Sequence, residues 1–184
     1  MSRLRVTEDK EWTESAEVLL KQFKEREEVI TNLVKVIANS TPVLGAYVTV
    51  QRTLGLCSLE SKDYQRIGLA VAEACKSEYC LATHTAYARV LGMTADEIRD
   101  SRNASSINPK IDTALKFCQS VIDRKGHVTN REIEELRRAE ISDKQIVEII
   151  ALASLSLFSC MLANVAQVPR GFREAEPNPG NSHK

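Results

Sequence analysis

Helix-start signals are the feature of this 184-residue sequence that most restricts its fold. Residues 94–97, 129–132 and 142–145 each begin with Ser or Thr and end with Glu or Gln. Such capping boxes satisfy backbone amide groups that the first turn of a helix leaves unpaired. Pro109, after Asn108, marks a further start, because proline suits the first helical position. These signals predict four helices in the second half of the chain.

Apolar residues recur at helical spacing in the first half of the chain as well. The stripe Ala16, Leu19, Leu20, Phe23, Ile30, Leu33, Val34 and Ile37 predicts one long amphipathic helix. Pro42 ends that helix and opens a second, which runs to about Gly55. Two more helices are predicted over 59–73 and 77–91, the latter stopped by Gly92. Because no alternation typical of strands occurs, we predict an all-α fold of about seven or eight helices.

The segment from Ile146 to Leu162 is apolar on nearly every side. Polar residues interrupt the stretch 149–166, which is barely long enough to cross a bilayer, so a buried core helix is predicted and no membrane partner. A small domain rarely surrounds one helix fully, so we expect part of its surface to meet another subunit. The chain is expected to form a single domain over 1–168, followed by a mobile tail, 169–184, rich in Gly, Pro, Asn and Ser.

Charge and cysteine content narrow the function classes. The 25 basic and 25 acidic residues cancel, so no nucleic-acid partner is expected. The first ten residues lack the apolar core of a signal peptide, and five irregularly spaced cysteines suit a reducing compartment. We therefore expect a cytoplasmic protein with free thiols. No close-set metal ligands or glycine-rich phosphate loop occur, so no metal or cofactor is implied.

Four residues form the most informative cluster in the sequence. On an uninterrupted helix, Glu73, Ser77, Cys80 and His84 would share one stripe. If a helix instead starts near Ser77, Cys80 lies in its first turn and His84 remains adjacent, one turn later. Either a helix N-terminus or an imidazolium lowers the pKa of a thiol from about 8.5, which makes the reactive thiolate more abundant. A buried cysteine that only packs remains the alternative.

The remaining cysteines and histidines carry weaker signals. Cys57, Cys118 and Cys160 lie in apolar surroundings at helical spacing, so core packing is predicted for each. His127 follows Gly126 in an apparent loop and is expected at the surface. His183 belongs to the tail. None of these residues is assigned a chemical role.

The stretches 38–44 and 69–84, above all Glu78-Tyr-Cys-Leu-Ala-Thr-His84, resemble the carboxymuconolactone decarboxylase / alkylhydroperoxidase D-like (AhpD-like) family. The resemblance covers roughly residues 38–167. It implies an all-helical AhpD-like domain that forms trimers, hexamers or other homo-oligomers. Redox-active members carry Cys-x-x-Cys-x-x-x-His and an upstream glutamate. The second cysteine attacks peroxide and the first resolves it as a disulfide, so Cys80 is implied as the attacking thiol and His84 as its proton partner.

This sequence departs from the family pattern at two positions. Ser77 replaces the first motif cysteine; it can donate a hydrogen bond to a thiolate but cannot form a disulfide. Gln65 stands where the upstream glutamate is expected, and an amide does not exchange protons at neutral pH. Glu73 is a candidate replacement for that carboxylate, although a solvated or paired role is equally compatible. Cys75 is either an alternative resolving thiol, if the chain turns there, or a structural residue.

Three functions remain open at this stage. The first is an alkylhydroperoxidase-like oxidoreductase, a peroxidase or disulfide-exchange protein, in which Cys80 reacts with a small-molecule peroxide or a thiol/disulfide partner. The second is decarboxylation of a small lactone acid, in which His84 and a carboxylate manage protons. The third is a non-catalytic homo-oligomer that keeps only the helical frame, as Ser77 and Gln65 suggest.

Overall fold

The computed structural model describes residues 2–27 and 30–169. Within these ranges the chain forms nine α-helices, one short 3-10 helix (Asp9–Glu11) and no strand. The α-helices are α1 (Glu14–Glu27), α2 (Asn32–Ile37), α3 (Thr41–Leu54), α4 (Ser61–Ala74), α5 (Glu78–Val90), α6 (Ala95–Arg102), α7 (Pro109–Asp123), α8 (Asn130–Arg138) and α9 (Asp143–Ala166). The predicted all-α class is confirmed. The tail predicted at the C-terminus lies, from residue 170 onward, outside the described residues, and so does His183.

The prediction of one long first helix is wrong, because α1 and α2 are separate helices. Thr31 is extended (φ −72°, ψ 160°), and its hydroxyl accepts a hydrogen bond from the Val34 amide, so it caps the start of α2. Residues of the predicted apolar stripe are nevertheless buried on both helices, among them Leu20 on α1 and Ile37 on α2. The hydrophobic period therefore continues across the break, and period alone cannot reveal a cap.

All three predicted capping boxes are present. Thr94, Thr129 and Ser142 each accept a hydrogen bond from the backbone three residues later, and the Glu or Gln at that position bonds back to the capping amide. Asn108 caps α7 through the Lys110 and Ile111 amides, with Pro109 at the first helical position as predicted. Local hydrogen bonding thus fixes the starts of α6 to α9.

α4 lies at the centre of the fold and packs against α5, α6, α7 and α9. Seven consecutive residues of α4, from Arg66 to Ala72, are buried. Helices α2 and α3 also contact α9, so the core lies between the N-terminal helices on one side and α4 and α9 on the other. The C-terminal end of α4 and the start of α5 therefore meet inside the domain, where functional side chains are shielded from bulk water.

The last helix combines a buried stripe with an exposed one. Its most apolar 18-residue window has a mean hydropathy of 2.2, enough by composition and length to cross a membrane, but 44% of that window is buried in the fold. The buried side includes Leu152, Ser156 and Cys160. Packing of this side against α4, α5 and α7 is what a core helix does, so length and composition are weak evidence for a membrane span here.

Candidate thiol site

The junction between α4 and α5 decides which side chains can meet. Cys75 is the capping residue after the last residue of α4, and Lys76 adopts the left-handed conformation (φ 49°). The Lys76 amide donates to the Glu73 carbonyl oxygen and the Ser77 amide to the Ala72 carbonyl oxygen, both at 2.9 Å. These two bonds define a Schellman termination. The uninterrupted helical stripe from Glu73 to His84 is therefore absent, and α5 starts afresh at Glu78.

Glu73 is directed away from the other predicted site residues. It lies on α4, and its Oε2 atom accepts a hydrogen bond of 2.7 Å from the Nε atom of Arg102 on α6. Both side chains are largely shielded from solvent. This ion pair joins α4 to α6, and Glu73 does not line the cavity that Cys80 and His84 share. The structure thus corrects its placement as a substitute for the missing glutamate.

Cys80 occupies the first turn of α5, where unpaired amides and the helix dipole favour negative charge. Its side chain is 3% exposed. The pKa of the thiol is lowered, chiefly by hydrogen bonding from Cys160 and further by Ser77, against the opposing effect of burial. The Ser77 hydroxyl is fully buried and makes no other hydrogen bond, although Ser77 is the capping residue of α5. Its hydroxyl is therefore available to Cys80.

His84 is held by α4 rather than by Cys80. Its Nδ1 atom lies 2.9 Å from the Oε1 atom of Gln65. With an amide oxygen as partner, Nδ1 carries the proton and Nε2 remains an acceptor. Burial lowers the pKa of the imidazole to about 4, so the ring is neutral at pH 7. The predicted role of an imidazolium in holding the thiolate is therefore wrong; Cys160, Ser77 and the helix terminus act instead.

A glycine makes room for this imidazole. A Cβ atom built on Gly68 would overlap the His84 Cε1 atom and lie 2.5 Å from Nδ1. Such distances are far inside van der Waals contact, so any larger residue at 68 would displace the ring. Gln65 and Gly68, one turn apart on α4, thus fix the position of His84 together. The sequence alone gave no reason to single out Gly68.

Cys80 and His84 line one cavity of about 280 Å³. The exposed residues Gly55 and Ser61 also line it, so it reaches the surface. Its wall mixes Leu, Val and Phe with neutral polar groups, namely the side chains of Tyr47, Gln51, Tyr64, Gln65, Tyr79, Thr83, Tyr87, Ser156 and Ser159. None of the described residues that line it is Asp, Glu, Lys or Arg. The cavity therefore suits a small, uncharged, partly apolar molecule.

Hydrogen bonds order the polar side of the cavity. Tyr64 Oη donates to Gln51 Oε1 at 2.6 Å, and Gln51 Nε2 donates to the Tyr47 hydroxyl at 3.1 Å. Tyr79 Oη accepts from the Leu33 amide at 3.1 Å. Burial raises the pKa values of Tyr47 and Tyr79, so both phenols stay protonated. Sequence reasoning did not single out Tyr47 and Tyr64, because they come from α3 and α4 rather than from the helix that carries Cys80.

The cysteines divide into a cluster and isolated residues. Cys160 is in the core, as predicted, but its thiol also interacts with the thiols of Cys75 and Cys80. This contact lowers the pKa of Cys75 to about 7. Cys118 is fully buried, and burial raises its pKa to about 12, which fits the predicted packing role. Cys57 is half-buried and lines the cavity with Gly55.

The thiol cluster does not form a metal site. Among the described residues, no three His, Cys, Asp or Glu side chains form a group that could hold a metal ion. His127 is exposed after α7, where a surface position was predicted. The chemistry available at the site is therefore that of a shielded thiol of lowered pKa, a neutral imidazole and several hydroxyl donors.

Comparisons with known proteins place this arrangement in context. The model of the carboxymuconolactone decarboxylase family matches residues 46–119, which include Gln65, Ser77, Cys80 and His84. A search of the curated proteins found no match. Among solved structures, the alkylhydroperoxidase AhpD core of a peroxidase-related protein from Ralstonia eutropha is 20% identical, with a TM-score of 0.80 and 92% of each chain covered.

Two further solved structures share the fold. A peroxidase-related protein from a Silicibacter species is 16% identical, with a TM-score of 0.77, over 94% of this chain and 90% of that one. The debrominase Bmp8, in complex with 2,3,4-tribromopyrrole, is 13% identical, with a TM-score of 0.77, over 92% and 91%. These likenesses show that the helices form an alkylhydroperoxidase D-like fold. Residues 46–119, which carry the site, are similar to the carboxymuconolactone decarboxylase family.

Proposed function

We propose that this protein is a thiol peroxidase in which Cys80 reduces a small, uncharged hydroperoxide. One observation carries the proposal: a cysteine of lowered pKa lines a neutral cavity that reaches the surface, beside an imidazole with a free acceptor nitrogen. A thiolate is the nucleophile in peroxide reduction, and a shielded site strengthens the hydrogen bonds that stabilise it. The helix terminus and the Ser77 hydroxyl act in the same direction.

In this reaction the Cys80 thiolate attacks the terminal oxygen of the hydroperoxide. The S–O bond forms as the O–O bond breaks, and the electron pair leaves with the inner oxygen. His84 Nε2 accepts the hydroperoxide proton and delivers it to that oxygen, which departs as an alcohol. Cys80 is left as a sulfenate, which takes up a proton from water to become the sulfenic acid that thiols reduce back. Because the pKa of His84 is about 4, the ring holds this proton only transiently.

The lining of the cavity also favours peroxide reduction over decarboxylation of a lactone acid. A carboxylate substrate needs cationic groups or several donors to replace its water, and none of the described lining residues is Lys or Arg. Glu73 is paired to Arg102, and none of the described residues that line the cavity with His84 is Asp or Glu. Decarboxylase activity should therefore be absent. If it is present, it should survive Cys80→Ser and disappear in His84→Ala.

Peroxide consumption tests the proposal directly. The wild-type protein should consume cumene hydroperoxide with dithiothreitol as the donor. The rate of consumption should be at least ten-fold lower in Cys80→Ser. Cys118→Ser is the matched control, because that thiol is equally buried but lies outside the cluster and the cavity. A hydroperoxide of similar size bearing a carboxylate should react more slowly. Equal turnover by wild type and Cys80→Ser would remove the proposal.

We also propose that the protein works as a homo-oligomer in the cytoplasm. Val147, Ile150, Phe158, Met161 and Val165 are exposed large apolar side chains, and together with Ser154 they recur every three or four residues along α9. An exposed stripe of this length, apolar except at Ser154, usually lies against another surface. A second copy offers the same stripe, which suits a symmetric interface. The free state of all five cysteines fits a reducing compartment.

A further inference from the structure

Three thiols lie near one another where the α4–α5 junction packs against α9. The Cys160 thiol interacts with the thiols of both Cys75 and Cys80. One turn further along α9, Asn164 Nδ2 donates to the Cys75 carbonyl oxygen at 3.0 Å, which ties the junction to this helix. Cys80 faces the cavity, Cys160 is fully buried, and Cys75 is half-buried and does not line the cavity. The thiols therefore lead from the cavity through the core toward solvent.

We propose that Cys160 is the resolving thiol for Cys80 and that it passes the disulfide on to Cys75. This inference rests on the proposed peroxidase function. It assigns to α9 the task that Ser77 cannot perform, because a hydroxyl forms no disulfide. Cys160 is the thiol that contacts Cys80, and a fully buried disulfide at Cys160 would be closed to any external reductant. The half-buried Cys75 provides the exit to the surface.

The relay has two exchange steps after peroxide attack. First, the Cys160 sulfur attacks the sulfenic sulfur of Cys80; an S–S bond forms, the S–O bond breaks, and the hydroxyl leaves as water with the Cys160 proton. Second, the Cys75 thiolate attacks the Cys160 sulfur and releases Cys80 as a thiolate. An external dithiol then reduces the Cys75–Cys160 disulfide and is itself oxidised to a disulfide, which supplies the two electrons that the hydroperoxide accepted.

Disulfide mapping tests the relay in the full chain. The reduced protein receives one equivalent of cumene hydroperoxide, is quenched in acid with a thiol-blocking reagent, and is digested for mass spectrometry. Wild type should give the Cys75–Cys160 disulfide. Cys75→Ser should stop at Cys80–Cys160. Cys160→Ala should leave a Cys80 sulfenic acid that dimedone labels, with at least a ten-fold loss of turnover with dithiol donors, whereas Cys118→Ala should behave as wild type.

The results that overturn the relay are distinct from those that overturn the peroxidase function. A wild-type disulfide that joins Cys80 directly to Cys75 or to Cys57 contradicts the relay while the peroxidase function stands. Unchanged dithiol turnover in Cys160→Ala has the same meaning. If Cys80 forms no sulfenic acid or disulfide in any variant and no peroxide is consumed, both fail. The wild-type map needs no substitution, so the relay is tested even where Cys160→Ala does not fold.

Discussion

The Nδ1 atom of His84 and the Oε1 atom of Gln65 lie 2.9 Å apart, between α5 and α4. An amide oxygen accepts the imidazole proton but adds no charge, so nothing offsets the burial that lowers the pKa of His84 to about 4. The consequence is a site in which the imidazole is neutral and other groups stabilise the thiolate form of Cys80. Cys160, Ser77 and the start of α5 supply that stabilisation.

Replacing Gln65 by glutamate should charge this histidine. A carboxylate hydrogen-bonded to Nδ1 favours the imidazolium, so the pKa of His84 should rise by at least one unit from about 4. An NMR titration of the His84 ring protons measures the change. Gln51→Glu is the control, because Gln51 lines the same cavity but bonds to tyrosines. A larger shift in Gln51→Glu than in Gln65→Glu would contradict the role given to this pair.

The neutral histidine should make folding stability sensitive to mild acid. Above pH 6.5 His84 is uncharged in the folded and unfolded chain; between pH 6.5 and about 4 only the unfolded chain takes up the proton, so stability falls as pH falls. The loss should reach at most about 2 kcal/mol by pH 5. Urea unfolding at pH 7 and pH 5 measures it. His84→Gln should flatten this pH dependence, whereas the exposed His127→Gln should not.

Two glycine substitutions should change stability in opposite directions. Gly68→Ala places a methyl group against the His84 ring and should destabilise the protein by about 1–3 kcal/mol. Gly45→Ala, inside α3, meets only Leu19 Cδ1 at 3.6 Å, and should stabilise the helix by about 0.5–1 kcal/mol. Thermal unfolding compares the two variants. A Gly68→Ala protein as stable as Gly45→Ala would show that the imidazole is not held as described.

The exposed stripe of α9 should control association. Light scattering should give an oligomeric mass for the wild type, and Met161→Lys should reduce it, because a charge at an apolar interface loses its water without a partner. Ile107→Lys is the control, since Ile107 is 95% exposed but lies between α6 and α7. A monomeric wild type, or equal effects of the two substitutions, would rule out α9 as the contact surface.

Local signals were sufficient for much of the fold. The capping boxes at Thr94, Thr129 and Ser142 placed three helix starts correctly, because a cap depends only on residues within one turn. The break between α1 and α2 at Thr31 was not predicted, because the apolar period continues through it. The start of α5 at Glu78 agrees with the alternative in which Cys80 lies in a first turn.

The candidate site was predictable only in part. The family resemblance pointed to Gln65, Ser77, Cys80 and His84, and the structure brings Gln65 onto His84 and Ser77 beside Cys80. Glu73 could not be placed correctly, because its partner Arg102 comes from α6. The contact of Cys160 with Cys80 could not be predicted either, because eighty positions separate the two residues. Periodicity predicts that a residue is buried but does not identify its neighbours.

The central claim is that Cys160, Ser77 and the start of α5, not His84, lower the pKa of the Cys80 thiol. The rate at which iodoacetamide alkylates Cys80, followed by mass spectrometry across pH 5 to pH 10, tests it directly. The account predicts a midpoint below the ordinary thiol value of about 8.5, raised by Ser77→Ala and unchanged by His84→Gln. A wild-type midpoint at or above that value would contradict it and leave a helical protein without an activated thiol.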